Sequence, residues 1–568
     1  MKPVTLDPAP KLTRRANLFL VALCMTTLGI WRSGTDPVNI PKLLILSGFS
    51  GLILGSVLTS KSFRINRWVL FVVCFFVFTL FIPVVFSGAP LVQQLFGVSG
   101  RNTGLLTYIF LAILYYGASS LTRLSDYEFV PRAVLISGYG SVLFCTLELL
   151  GVNLLGASNT FGAILGTFGN PNFVSAFSGM IAVSSFALSL KFDSTKSSMV
   201  AFSTLATLSF FMVIQSKSFQ GLGATLLGAF LVLALYLFIR KYNKLFLSLI
   251  TFGGASLGLL VLGLLDKGPL STLIYQYTLP IRLQYWQAGI TMLKDRPFTG
   301  VGLNSYGDWF RESRDADSLI SPGPNVTTNV AHNVYIDFAS NGGLFLGISS
   351  ILLFATTLFF VVKTIWNMKA YDPIFTSTSI IWILYSIQAF FSIDQIGLSI
   401  WGWTLGGALI GMAKLKTIAT ENNVSKSIKS SKSTETNDIA RNDTRALIPQ
   451  FVLFWVFILA AFPAFKADLD WAEARRMGKV ETLAFQLNKW PQDEVRYSRG
   501  TYLFLTNKFE PQALASTLEG LEIFPRSSAL WSYLYQNPVA SSAQRNLARE
   551  KLISLDPLNS ENLSLKKF

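Results

Sequence analysis

Four side chains in this sequence have the types that could handle a proton and an anion together: His332, the only histidine, and the cations Arg282, Lys217 and Arg101. A neutral imidazole, with an ordinary pKa of ~6.5, is a suitable proton acceptor near neutral pH. Fixed cations in a water-poor site stabilise negative charge as it develops. Each of the four sits in a polar stretch: Arg101 in FGVSGRNTG (96–104), Lys217 in QSKSFQG (215–221), Arg282 in IRLQYWQAG (281–289) and His332 in VAHNVYID (330–337). A fifth stretch, GTFGNPNF (166–173), carries Gly169, Asn170, Pro171 and Asn172. Glycine permits backbone conformations that other residues resist, and proline in a helix's first turn removes a donor that would be orphaned anyway. That pattern describes a turn with exposed amides, able to cap a helix or receive an anion. Taken singly, each stretch also has a plainer reading: a turn with an interfacial Arg101, a snorkelling Lys217, a structural His332. Asp315-Ala316-Asp317 is formally the D-x-D of a divalent-cation site. It lies in the charged run from Arg311 to Asp315, which reads as a solvated face, so neither a metal nor a cofactor is expected.

The elements that must position these stretches are apolar. With 568 residues, 51% hydrophobic, 14% charged and a mean hydropathy of +0.47, the chain is too apolar for a soluble enzyme and has the profile of a polytopic membrane protein. The net charge of +16 would suit nucleic acid, but much of the excess falls in short links between apolar runs, where topology accounts for it, so no nucleic-acid partner is expected. Cys24, Cys74 and Cys145 lie inside apolar runs without metal-ligand or disulfide spacing and read as small core residues. Apolar runs long enough to cross ~30 Å of hydrocarbon number about thirteen. They fall near 17–31, 43–60, 68–88, 104–120, 133–155, 172–190, 199–215, 221–239, 245–265, 343–362, 373–393, 396–413 and 447–465. The first follows Lys11, Arg14 and Arg15 without a signal-peptidase site and reads as a retained helix. If the N-terminus is cytoplasmic, the basic links, such as Lys61/Arg64/Arg67, Arg123/Arg132, Lys191/Lys196 and Arg240/Lys241/Lys244, all fall inside. The polar stretches at 89–103, 156–171, 216–220, 266–342 and 394–395 then fall together outside.

The expected architecture is all-α. Residues 1–416 form a transmembrane bundle with a long outer loop at 266–342, and 417–446 a disordered cytoplasmic linker, because that segment has almost no large apolar residues. Residues 447–465 make the last span and 466–568 a helical domain outside. In that tail Pro491, Pro525 and Pro557 stand 34 and then 32 residues apart, close to the tetratricopeptide period, and Leu555-Asp556-Pro557-Leu558-Asn559 looks like the end of such a repeat.

The ordered set of GNPN before a span, Ser-Lys at the next outer turn, Arg282 with Trp286 four residues on, Asp295-x-Pro297-x-x-Gly300-x-Gly302, and His332-Asn333-x-Tyr335 resembles the O-antigen ligase and polymerase superfamily of bacterial membrane glycosyltransferases. Phe391-Ser392-Ile393-Asp394-Gln395 is similar to a segment of such proteins as well. The resemblance covers roughly 15–415 and is strongest over 160–345, so the tail lies outside it. It implies a C-type glycosyltransferase fold in the bacterial cytoplasmic membrane. It further implies a glycan donor on undecaprenyl pyrophosphate and inverting transfer on the outer side without metal. Arg282 and Lys217 would then bind the donor pyrophosphate, with Arg101 as a further cation, and His332 would face the acceptor hydroxyl. Gly169, Asn170, Pro171, Asn172 and Asn333 would be the structural motif. Many relatives have Arg where Lys217 stands, and lysine keeps the charge but loses the bidentate fork. Three acceptors compete: a lipid-anchored saccharide (ligase), another lipid-linked repeat (polymerase), and a protein hydroxyl (protein O-glycosylation), with residues 466–568 available to dock a protein partner. A flippase for the same lipid-linked glycan is the rival of another class.

Overall fold

The computed structural model describes residues 11–60, 66–156, 159–190, 195–272, 279–428 and 447–568. Among these there is no strand, and the fold is an all-α membrane bundle with a helical tail. The bundle runs α1 (Arg14–Leu28), α2 (Asn39–Leu58), α3 (Arg67–Phe86), α4 (Leu91–Phe96), α5 (Leu105–Ser119), α6 (Phe129–Leu149), α7 (Pro171–Ser189), α8 (Lys196–Gln215), α9 (Phe219–Ile239) and α10 (Asn243–Leu264). It continues with α11 (Leu279–Asp295), α12 (Tyr306–Ser313), α13 (Val334–Trp366), α14 (Pro373–Phe391), α15 (Ile396–Ile428) and α16 (Leu447–Met477). The tail adds α17 (Val480–Leu487), α18 (Glu494–Thr506), α19 (Glu510–Ile523), α20 (Ser528–Gln536) and α21 (Ser542–Leu555).

Every expected span has a helix, but two of the thirteen are short. Eleven described helices are long and apolar enough to cross a membrane. The other two, α1 and α5, have 15 residues each. At 1.5 Å per residue they reach only ~22 Å and need shielding by their neighbours. They have it, because Phe19, Leu23, Leu111 and Leu114 are fully buried in the common core. The α7 and α15 spans are almost wholly buried at the centre, whereas α10 and α16 present most of their apolar side chains outward. Cys24 and Cys145 are buried, but Cys74 is exposed on an outward face of α3, a correction to its reading as a core residue.

Hydrogen bonds place these polar stretches at one end of the bundle. Asn39, at the start of α2, donates to Gly100 O (2.6 Å) and accepts from Gln395 (2.9 Å). Gln93 donates to Asn304 O (2.9 Å), and Ser218 donates to Asn172 (2.8 Å). At the opposite end Arg15 reaches Ser56 O (2.7 Å) and Lys416 pairs with Asp372. Between the two ends a buried Lys42 donates to Thr26 O, Thr27 O and Gly29 O at 2.8–2.9 Å, closing the end of α1. Lys61, Arg64, Lys191 and residues 429–446 lie outside the described residues.

Two boundaries differ from expectation. Helix α15 runs on to Ile428, past the expected start of the linker at 417. Helix α16 is continuous to Met477, so the last span and the tail share one helix. Asp468 on that helix accepts from Thr35 N (2.8 Å), which fixes the tail at the end where the polar stretches gather. Pro491, Pro525 and Pro557 each stand just beyond a helix end. The buried pair Arg314–Asp556 (2.8 Å) and a bond from Arg526 Nε to Asp308 O (3.2 Å) lock the tail onto the 266–342 loop.

Candidate functional site

The His332 turn is held by its own neighbours. Asn333 caps α13, accepting from Tyr335 N (3.0 Å) and Ile336 N (3.1 Å), and Asp337 reaches back to accept from Ala331 N (2.7 Å). His332 is thereby fixed between two helix-start bonds, with φ at +55°. Its ring stacks on Tyr285 of α11 at 5.4 Å, and Tyr306 donates to Tyr285 O from below (2.5 Å).

The first turns of α13 form a separate helix that breaks at Gly343 (φ +75°, ψ −174°). The Asp295–Gly302 turn braces this break, with Val301 N bonded to Ser340 O, Gly302 N to Asn341 O and Leu344 N to Pro297 O at 2.7–2.9 Å. Only glycine fits this backbone contact. A Cβ on Gly343 would stand 2.6 Å from Phe298 C, and one on Gly300 2.4 Å from Asn341 C. The expected span start at 343 coincides with the break.

Two of the three expected cations converge on His332. Burial pulls its pKa down to about 4, and the guanidiniums of Arg101 and Arg282 push in the same direction. His332 is therefore neutral at pH 7. Arg101 stands in a turn with Gly97, Gly100 and Asn102 at positive φ. Burial lowers its pKa, Asp337 opposes that shift, and its Nη1 has no hydrogen-bond partner among the described residues. Arg282 donates to Gln220 of α9 (2.9 Å), which donates in turn to Gln388 of α14 (2.8 Å). Lys217 is different. Its φ is +55°, its side chain is exposed and its Nζ is turned to Gly162 O (2.7 Å).

Gly169 (φ +71°) and Asn170 close the GNPN turn, and Asn170 caps α7 through Asn172 N (2.9 Å) with Pro171 in the first turn. Asn172 accepts from Ser218, so this motif shapes the turn that carries Lys217. Asp315 accepts from Ser318 N (3.1 Å) and Oγ (2.9 Å), the local cap of a one-turn helix. Sequence reasoning gave no role to Tyr285, Gln220, Asp337 or Asp394. Asp394, in the link between α14 and α15, gathers Tyr108 of α5 (3.3 Å), Tyr385 of α14 (3.2 Å) and Ser399 of α15, so three helices meet beside the His332 helix.

An apolar groove of about 860 Å³ opens beside this cluster between α11, α13 and α14. Trp286, one turn beyond Arg282, and Asn333, next to His332, line its polar end, while Ile351, Phe354 and Leu358 line the part along the membrane span. Its volume lies in the ordinary range for sites that take small molecules. The arrangement can hold an anion at two guanidiniums, an apolar chain in the groove, and a proton at His332.

No curated protein matches the chain. Residues 180–351, which include Lys217, Arg282 and His332, match the model of a family described as O-antigen ligase, and this supports an O-antigen ligase-like membrane glycosyltransferase within that superfamily.

Proposed function

We propose that the protein transfers a glycan from undecaprenyl pyrophosphate to an acceptor hydroxyl on the outer side of the bacterial cytoplasmic membrane. The observation that carries this reading is the convergence of Arg101 and Arg282 on a neutral His332 beside an apolar groove. The two guanidiniums hold the pyrophosphate, Lys217 serves its margin, and the polyprenyl chain lies in the groove. His332 takes the proton of the acceptor hydroxyl while its oxygen bonds to the anomeric carbon. The bond from that carbon to the pyrophosphate oxygen breaks with its electron pair, and the charge that leaves meets the cations. Attack opposite the leaving group inverts the anomeric configuration. No metal step is invoked.

Burial, reinforced by the two cations, keeps His332 neutral and makes it a weak base in the free protein. Diphosphate bound between them offsets their charge, so the proton affinity of His332 rises when the donor is present. The base gains strength only in the loaded site. Ligase-type transfer, polymerisation and protein glycosylation share this step and differ in the acceptor. The tail, with its helix pairs closed by proline, is read as tetratricopeptide-like.

The test is transfer by purified protein from undecaprenyl-pyrophosphate oligosaccharide to a panel of saccharide, lipid-anchored and peptide acceptors, with EDTA present. Product that survives EDTA and disappears in His332→Ala and Arg282→Ala supports the reading. Activity untouched by either substitution would remove the site, and glycan crossing vesicles without product would favour the flippase.

A further inference from the structure

The turn that carries Arg101 also faces a second cavity, of about 100 Å³, that is partly open and lies between the bundle and the tail. From the bundle side its walls are Phe96, Asn102, Asn304 and Asp308; from the tail they are Trp471, Glu494, Arg496 and Phe524. Two of these polar side chains are nearly inaccessible, Asn102 at 3% and Arg496 at 6%. Each carries an atom without a hydrogen-bond partner among the described residues, Asn102 Oδ1 and Arg496 Nη1. One is an acceptor and the other a donor. Buried polar atoms are normally paired, so such a set asks for a ligand that can both give and take hydrogen bonds.

The remaining groups narrow the ligand. Asp308, Asp468, Asp493 and Glu494 outnumber Arg496 and Arg499 along the walls, which disfavours an anion. Among the described residues no group of three or more His, Cys, Asp and Glu side chains could hold a metal ion. An extended peptide would need a sheet edge or a long groove, and this cavity is recessed. Hydroxyl groups satisfy Asn102 and Arg496 together, and the flat faces of Phe96, Trp471 and Phe524 suit the CH face of a sugar ring. Burial pushes the Asp308 carboxyl up to about 6 and Glu494 up to about 7, so each can donate as well as accept near neutral pH.

We propose that this cavity is a saccharide subsite, built jointly by the membrane bundle and the C-terminal helices, that holds one sugar ring of a substrate glycan. It rests on the glycosyl-transfer reading of the neighbouring site. The ring belongs either to the donor glycan or to a saccharide acceptor, and the chemistry it presents is the same.

The experiment uses the full chain in detergent and reads backbone hydrogen exchange over residues 96–104 and 491–499. One arm adds the free oligosaccharide released from the donor lipid by mild acid, and another adds the acceptor saccharide. Slowed exchange in both segments with one of them supports the subsite and names its source. No slowing with either, the behaviour of a cavity that holds water only, overturns it. Kinetics supply the second readout with Asn102→Gly, which keeps the positive φ and removes the amide, and Arg496→Lys. The subsite predicts a KM raised by roughly tenfold for the protecting substrate, with kcat little changed. A fall in kcat with both KM values unchanged would make these residues merely structural and overturn the proposal. Protection without any transfer product would remove the glycosyltransferase and keep the subsite. Transfer with unaltered KM in both variants would do the reverse.

Discussion

Two arginines in neighbouring regions are treated in opposite ways. Arg314, in the junction between the 266–342 loop and the tail, has a side chain at 0% exposure, bonds both oxygens of Asp556 at 2.8 Å and donates to Pro324 O at 2.9 Å, leaving over only its Nε. Arg101, in the turn beside His332, is half-buried, with a buried, unpartnered Nη1 and no carboxylate in ion-pair contact among the described residues. A buried charge is tolerated when paired, and one left open is costly unless something else completes it. The first arginine is scaffold, its charge spent on holding the tail. On the proposed reading the second keeps its charge for a ligand, and His332 feels that charge in the meantime.

The sharpest way to break this contrast is to remove the reserved groups. His332→Ala and Arg282→Ala are each expected to lower the transfer rate by roughly 10²–10⁴-fold with unfolding temperature little changed. A parallel loss of stability would instead make them scaffold. For the spent pair the order reverses. Asp556→Ala leaves Arg314 buried and alone, and should destabilise the protein by about 3–5 kcal/mol in denaturant unfolding in detergent. Replacing both, as Arg314→Met with Asp556→Leu, should cost less than the single change.

Gly343→Ala tests the brace under the His332 helix. It forces a Cβ against Phe298 at positive φ, and about 1–3 kcal/mol of strain is expected together with reduced transfer. The pH profile sharpens the same contrast. With His332 held near 4, kcat/KM for the donor should stay flat from pH 8 to about 5 and fall only as pH approaches 4. The acid limb of kcat, measured with donor bound, should lie at higher pH. The smallest effect is expected at exposed Lys217, where Lys217→Ala should cost less than about tenfold and Lys217→Arg should retain activity.

What could be read from the sequence was local. Asn333 and Asn170 are helix caps, and a cap is legible from a side chain next to an apolar run. The span start at 343 was legible because Asn341-Gly342-Gly343 precedes a long apolar run, but the break in a continuous helix there was not. The partners that make the site were not legible: Gln220 on Arg282, Asp337 on Ala331 N across one turn, Tyr285 beneath His332, Asp556 on Arg314 across 242 residues. All but Asp337 on Ala331 N are contacts between stretches that periodicity cannot pair, and that one depends on the shape of the turn between them. The two short helices were counted as full spans because hydropathy reads apolarity, while shielding by neighbours belongs to the packed bundle. The linker was begun too early because a polar composition does not by itself stop a helix that is already under way.

Donor binding separated from transfer tests the central claim most directly, namely that Arg101 and Arg282 hold the anion while His332 handles only the proton. Equilibrium binding of undecaprenyl pyrophosphate should be unchanged in His332→Gln, which transfers nothing, and weakened at least about tenfold in Arg101→Ala and in Arg282→Ala. Equal binding by all three variants, or loss of binding in His332→Gln alone, would contradict it.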